Sequence, residues 1–282
     1  GSSTNSSTVT PGTLNAEGDP TASTDSPFDD PAAFTFGESG SESVIKTGSY
    51  VGNGSNTGPE INIGWEPQWV LIKWTSSVSG NAEGWHLFDS MRGIVTGGTD
   101  TYFTINTESQ DSTGSDGIDL TPTGFKVKSQ YDFVNNNGTS YIYMCIRRPD
   151  GYVGKPPELG TGVFNVANYD STAPAFNANF AVDFAMFRRT ATSVDWRASA
   201  RLIHKKYLET NTTAAETAEN DYVFDYNDGW NLQTGYANNE VSWMWKRHAG
   251  FDVVAYEGNS TNRQIRHSMG ISPTMVWLKS RT

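Results

Sequence analysis

The chain has 282 residues, a formal net charge of −11, only 18% charged residues and a single cysteine, Cys145. That balance argues against a phosphate-tracking nucleic-acid binder, which needs clustered Lys and Arg. One cysteine excludes an internal disulfide and a multi-cysteine zinc site, and the absence of an apolar run of about 18 residues argues against a membrane-spanning helix.

Taken in order, residues 1–42 are rich in Ser, Thr, Gly, Pro and Asp, and their one apolar anchor is "SPFDDPAAFTFG". Such a stretch cannot offset its chain entropy alone, so it reads as an extended linker or arm. No signal peptide is visible and the first residue is Gly1, so a fragment of a longer protein is expected. Short β-branched and aromatic runs then alternate with turn pairs such as Asn53-Gly54, Asp116-Gly117 and Asn137-Gly138. The pattern predicts strands near 45–51, 61–63, 68–74, 85–89, 101–106, 118–120, 124–129 and 141–147. Cys145, inside "YIYMCIRR", reads as a small buried hydrophobe. Seven or eight short strands over residues 43–150 suit a two-sheet antiparallel sandwich. Pro156-Pro157 bars regular structure in a linker at 151–160. A second sandwich is expected over 161–249, its opening strand at Phe180–Arg188. The one helix-compatible window, 211–220, lacks an apolar stripe.

Residues 250–282 explain the boundaries. Tyr50, Gly52, Asn53, Gly64, Pro67, Val70 and Lys73 recur as Tyr256, Gly258, Asn259, Gly270, Pro273, Val276 and Lys279, at a constant offset of 206. A more worn copy matches "IYMCIRR" (142–148) with "VSWMWKR" (241–247), offset 99, and "TGFKV" (123–127) with "DGWNL" (228–232). The unit is therefore about 100 residues long: two copies, then the start of a third at 250–282. Each Gly-x-x-Pro gives backbone freedom followed by a fixed φ, which suits the entry to a strand. The apolar run behind it suits a strand covered on both sides.

Gly250, Phe251, Tyr256, Gly258, Asn259, Gly270, Pro273 and Lys279, with "WHLFDSMRG" (85–93), "LTPTGFKV" (120–127) and the two closing strands, resemble a repeat of virion proteins of tailed, marine-type bacteriophages. The resemblance covers the chain apart from its first 42 residues and is weakest in the middle copy, where Asp183 stands near the expected Pro. It implies concanavalin-like or jelly-roll-like β-sandwiches in a phage appendage, a tail fibre, tail spike or capsid fibre. It further implies a location on the virion surface, other virion proteins as partners and a homo-oligomer, a trimer by analogy. Such a segment would serve as spacer and mount in host attachment, with a host cell-surface glycan as a candidate ligand. Two alternatives stand beside it: a capsid or tail decoration that stabilises the particle, and a carbohydrate-binding arm of a secreted glycosidase.

Motifs for chemistry are missing. No Gly-x-Ser-x-Gly, His-Glu-x-x-His, phosphate loop or dinucleotide fingerprint is present. His86, His204, His248 and His267 fall at different places in different units, so no enzyme, cofactor or metal is expected. Asp183, Asp195, Glu209, Asp225 and Asp228 are acidic candidates for glycoside hydrolysis, which needs two paired carboxylates. "DSTGSDGID" (111–119) offers Asp111, Asp116 and Asp119 around glycines, without the spacing of a calcium-binding helix-loop-helix. Aromatic rings beside turns are the better lead, since sugars stack on such rings while Asn holds hydroxyls. The ligand-binding candidates are Trp65, Trp85, Trp230, Asn136, Asn137 and Asn238, with Trp74 and Trp196 in similar settings. For the "DSMRG" turn, Asp89 and Arg92 are expected to pair structurally.

Overall fold

The computed structural model describes residues 44–75, 84–128, 132–149, 159–232 and 239–282. The expected arm at 1–42, most of the expected linker at 151–160, and Asn238 lie outside the described residues. The first nine strands are β1 (Ile45–Val51), β2 (Glu60–Asn62), β3 (Pro67–Trp74), β4 (Trp85–Asp89), β5 (Asp100–Thr104), β6 (Ser112–Ser115), β7 (Ile118–Thr121), β8 (Gly124–Val127) and β9 (Ser140–Arg147). A single helical turn, α1 (Asp132–Asn135), precedes β9. They form a six-stranded sheet, ordered β1-β9-β3-β4-β5-β6, and a three-stranded sheet, β2-β8-β7. Every pairing is antiparallel.

The alternation of a strand sorts the apolar run "PQWVLIKW" onto two faces. Val70 and Ile72 are 0% exposed and Trp74 3%, and they meet Ile61, Ile118, Leu120, Phe125 and Val127 from the small sheet. Full burial of each such side chain stabilises the fold by about 1.5–3 kcal/mol. The Gly of "TGF" has a steric purpose: a Cβ on Gly124 would run into the carbonyl oxygen of Ile61 on the paired strand β2. Asn135, 0% exposed, ties the loop after β1 to the loop before β9: it accepts from the Asn53 amide (2.8 Å) and donates to the Ser55 carbonyl (2.8 Å). Asp89 and Arg92 do pair, at 2.6 Å, and the same carboxylate caps the amides of Met91 and Arg92.

The second set is β10 (Phe164–Asn168), β11 (Phe176–Asn177), β12 (Phe184–Arg189), β13 (Arg197–Ala200), β14 (Lys206–Glu209), β15 (Thr217–Ala218), β16 (Tyr222–Val223), β17 (Gly229–Leu232) and β18 (Glu240–Trp245). Its sheets run β10-β18-β12-β13-β14-β15 and β11-β17-β16, which is the first order over again, strand for strand. Even the glycine contact repeats, since a Cβ on Gly229 would strike the Phe176 carbonyl. The segment expected to open this set becomes β12, and two strands precede it. The helix-compatible window at 211–220 holds turns and β15.

The two sets are docked. The Thr96 amide donates to the Leu202 carbonyl (3.0 Å), and the Leu202 side chain joins the first core. Beside it lies a buried ionic cluster. Arg247 reaches Glu66 at 2.5 Å and Asp252 at 3.3 Å, while Arg148 reaches Asp252 at 2.9 Å and Glu66 at 3.4 Å. Burial alone would lower the Arg247 pKa, but Glu66, Asp252 and Asp183 together hold it above its ordinary value. Burial would likewise raise Asp252, and Arg247, Arg148 and the Ser268 donors outweigh it and hold the carboxyl low.

One expectation fails. A strand through Met275-Val276-Trp277-Leu278 is absent, and no strand is assigned to residues 252–282, all of them described. Val276 is 63% and Leu278 76% exposed. The segment instead reaches both sets without strand pairing. Lys126 pairs with Glu257 (2.8 Å), Arg266 donates to the Gly64 carbonyl (3.0 Å) and Arg281 pairs with Glu216 (2.7 Å).

Candidate interaction surface

The three-stranded sheet covers one face of each six-stranded sheet, and the other face should by ordinary patterning be polar. It is not. Reading across the first sheet, Thr47, Met144, Leu71, Leu87 and Phe103 share one row. Next to it lies the row Ser49, Ile142, Lys73 and Trp85, continued by Ile105 beside Trp85. Ile105 is 49% exposed, Ile142 41% and Phe103 37%. The matching rows of the second sheet are Val166, Trp243, Met186, Ala198 and Leu208, and then Asn168, Val241, Arg188 and, just before β13, Trp196.

A specific pair repeats between these rows. Lys73 Nζ lies 5.6 Å from the centroid of the Trp85 ring, and the Arg188 guanidinium lies 5.4 Å from that of Trp196. The registers make the two pairs equivalent: Lys73 faces Ile142 on β9, and Arg188 faces Val241, which is Ile142 shifted by 99. A cation over an indole contributes about 0.5–1 kcal/mol at an exposed site. On the second sheet Trp196 also stacks on Trp243 at 4.7 Å, and Trp245 stacks on Phe251 at 5.8 Å. The result is a partly exposed aromatic surface edged by cationic donors. Such a surface suits the apolar face of a sugar ring or a second protein surface.

The sequence candidates scatter around this surface rather than forming it. Trp85 belongs to it. Trp230 is 0% exposed, stacked between Phe176 and Phe224, with its indole N–H donating to Ser242 Oγ (3.0 Å). Trp65 is 4% exposed under Arg147, so neither Trp65 nor Trp230 can serve as an open ring platform. Trp74 is buried and donates to the Phe133 carbonyl (3.0 Å). Asn136 is half-buried, its backbone amide donating to the Tyr141 hydroxyl, and Asn137 is exposed at the loop tip. Two surface indoles are not among those candidates: Trp243, which stacks on Trp196, and Trp245, which stacks on Phe251. The signal was present in "VSWMWK", where alternation puts Ser242 and Met244 inside and both indoles outside.

Four of the five acidic candidates are committed to structure. Asp183 pairs with Arg201 (3.3 Å) and accepts the Arg247 amide (2.8 Å), and Asp195 accepts from Asn211 (2.6 Å). Glu209 accepts from Thr212 (3.2 Å), and Asp228 from Asn177 (3.3 Å). Burial, aided by Lys73, lowers His86 to about 4. Burial, with Lys205 and Arg201, does the same to His204, whose Nδ1 accepts the Phe224 amide. Burial pushes the Cys145 thiol up to about 12. In the acidic loop, Asp119 takes the Gly97 amide (2.6 Å) and Lys128 (3.2 Å). Asp116 is raised to about 6 by burial and by Asp119. Asp100 accepts three backbone amides, and burial still holds its carboxyl well above the usual range. Among the described residues no three His, Cys, Asp or Glu side chains gather as a metal site.

Fold and surface together define a tandem, all-β sandwich protein with outward-facing apolar sheets. The chain belongs to the family described as Domain of unknown function (DUF7483), which matches residues 2–148. The matched span starts within the expected arm and closes just past β9, so residues 2–42 and the first sandwich fall inside one family domain. No curated protein and no solved structure matches the chain.

Proposed function

We propose that this chain is a structural and mounting segment of a bacteriophage virion appendage, a tail fibre or capsid fibre, that takes part in host attachment without turning over a substrate. The observation that carries the reading is repetition. A nine-strand unit recurs with the same strand order, and the two copies are fixed to each other by a buried ionic cluster rather than joined loosely. That construction suits a load-bearing spacer, and the residues resembling phage virion repeats supply its setting. Its partners are other virion proteins, and its place is the particle surface.

A second reading concerns what the spacer touches. The cation–indole pair recurs in both units on the same face, which supports a weak glycan contact that gains strength by repetition. Adsorption of the purified full chain to host cells, with competition against intact phage, tests the first reading. A spacer leaves infection unchanged. Saturable binding that blocks infection would assign receptor recognition to this segment instead. A glycan array run on the full chain and on Trp85→Ala and Trp196→Ala tests the second. Binding that falls in both variants supports it, and binding that is absent or unaffected removes it.

A further inference from the structure

We propose that β1 is a docking edge at which two copies of this chain join, strand against strand, about a two-fold axis. Among the described residues β1 ends its sheet, with β9 on one side and no strand on the other. Two bonds bracket the strand: the Arg147 amide donates to the Val44 carbonyl and the Gly52 amide to the Thr139 carbonyl, both at 2.8 Å. The register between them turns the backbone groups of Lys46, Gly48 and Tyr50 towards β9. Those of Ile45, Thr47, Ser49 and Val51 point away from it, because an antiparallel ladder alternates sides residue by residue. Four N–H and four C=O groups therefore stand on an open edge, a template for a further strand.

Sheet edges are ordinarily guarded by charge, proline, a bulge or shortness. The other edges of this chain have such guards. β6 is four small polar residues with a register shift against β5, and β15 is two residues long. On the open side of β10, the Val166 amide is taken by the Asn165 side chain at 2.9 Å. β1 has none of these. It runs for seven residues without a proline or a register shift, and its one charge, Lys46, is drawn to the Ile63 carbonyl at 2.6 Å.

The edge is complementary to itself. An antiparallel pairing centred on Gly48 sets Ile45 against Val51 of the second copy and Thr47 against its Ser49. Apolar then faces apolar, hydroxyl faces hydroxyl, and each pair exchanges two backbone hydrogen bonds. A shift of two residues either way sets Ile45 against Ser49, or Val51 against Thr47. Ile45 and Val51 are 57% and 58% exposed in the single chain, so the centred register covers the apolar surface that is open. Charge agrees. The chain carries −11 overall, so a second acidic copy is best accepted where the surface holds no acid, and β1 holds none. A strand edge about 23 Å long covers well under the about 800 Å² per partner of a stable complex, so the dimer is expected to be weak and concentration-dependent.

Sedimentation equilibrium of the full chain from about 1 μM to about 1 mM spans the range in which so small an interface responds. The expected result is a reversible monomer–dimer equilibrium. Amide hydrogen exchange at both ends of that range reads the edge itself. The amides of Ile45, Thr47, Ser49 and Val51 should gain protection with concentration, while those of Lys46, Gly48 and Tyr50 are protected throughout. Thr47→Lys with Ser49→Lys sets like charges opposite one another in the dimer alone. It should raise the dimer dissociation constant about tenfold or more, with the melt at low concentration nearly unchanged. A monomer at every concentration overturns the proposal, and so does a dimer that survives both lysines. Protection of the four amides that is independent of concentration overturns it too, by assigning the edge to another segment of the same chain.

Discussion

Removing Glu66 strikes the joint between the two units. Its carboxylate, 9% exposed, stands between the guanidiniums of Arg247 and Arg148, with Asp252 as the other anion. Two cations and two anions make the cluster neutral, so Glu66→Ala leaves a net positive charge in a buried site. Breaking one side of a buried pair costs about 3–5 kcal/mol, because the partner charge is left without compensation. For the two docked units melting together as one block of about 200 residues, about 2–4 °C of melting temperature accompanies each kcal/mol. The expected drop is therefore about 6–20 °C by calorimetry. Burial also makes the loss insensitive to salt, whereas an exposed pair would be screened. Glu66→Ala with Arg247→Met removes both charges of the pair, and its loss should be clearly smaller than the sum of the two single losses. A Glu66→Ala melt within about 1 °C of the parent, or strict additivity in the double variant, would refute the buried-joint argument.

Other perturbations test the fold and the surface separately. Gly124→Ala and Gly229→Ala should each destabilise one unit by driving a Cβ into a paired carbonyl, and urea unfolding should show the loss confined to that unit's core tryptophans. Trp230→Ala should cost about 3–5 kcal/mol as a core truncation. Trp85→Ala, on the open face, should leave the melt nearly unchanged. Acidification should weaken the protein between about 6.5 and about 4, because His86 and His204 are held near 4 in the fold and near 6.5 when unfolded. The unfolded chain takes up those protons first, so stability is full above the unfolded value and falls with pH, by on the order of 3 kcal/mol per histidine. Asp116, raised to about 6, acts in the opposite sense over part of the same range. His86→Gln with His204→Gln should flatten the dependence in urea titrations, and an unchanged slope would contradict the assignment.

Strand positions in the first unit were legible because their apolar residues alternate or run continuously between turn pairs. β6, "STGS", was not read, since four small polar residues carry no periodic signal and only its pairing with β5 makes it a strand. β10, "FNVAN", is weak in the sequence for a similar reason: Phe164 and Val166 face outward, so the strand contributes little to the core pattern. Composition could not say which way the indoles point. Trp230 and Trp85 both stand next to turns, yet one ends as the centre of a core and the other lies on an open face. That choice depends on strand register, which long-range pairing sets. The failed strand at Met275–Leu278 teaches the same point from the other side. Propensity and repeat identity place a strand there, but a strand exists only with a neighbour, and residues 252–282 pair with no strand among the described residues.

The proposed place of this chain in the virion can be checked by cryo-electron microscopy of purified particles, with peptide mass spectrometry of the same preparation. Peptides of this chain should occur in the particles, with density in an appendage that fits two docked sandwiches, each a six-stranded sheet on a three-stranded one. Particles that lack its peptides, with the chain found only in the infected-cell lysate, would contradict it.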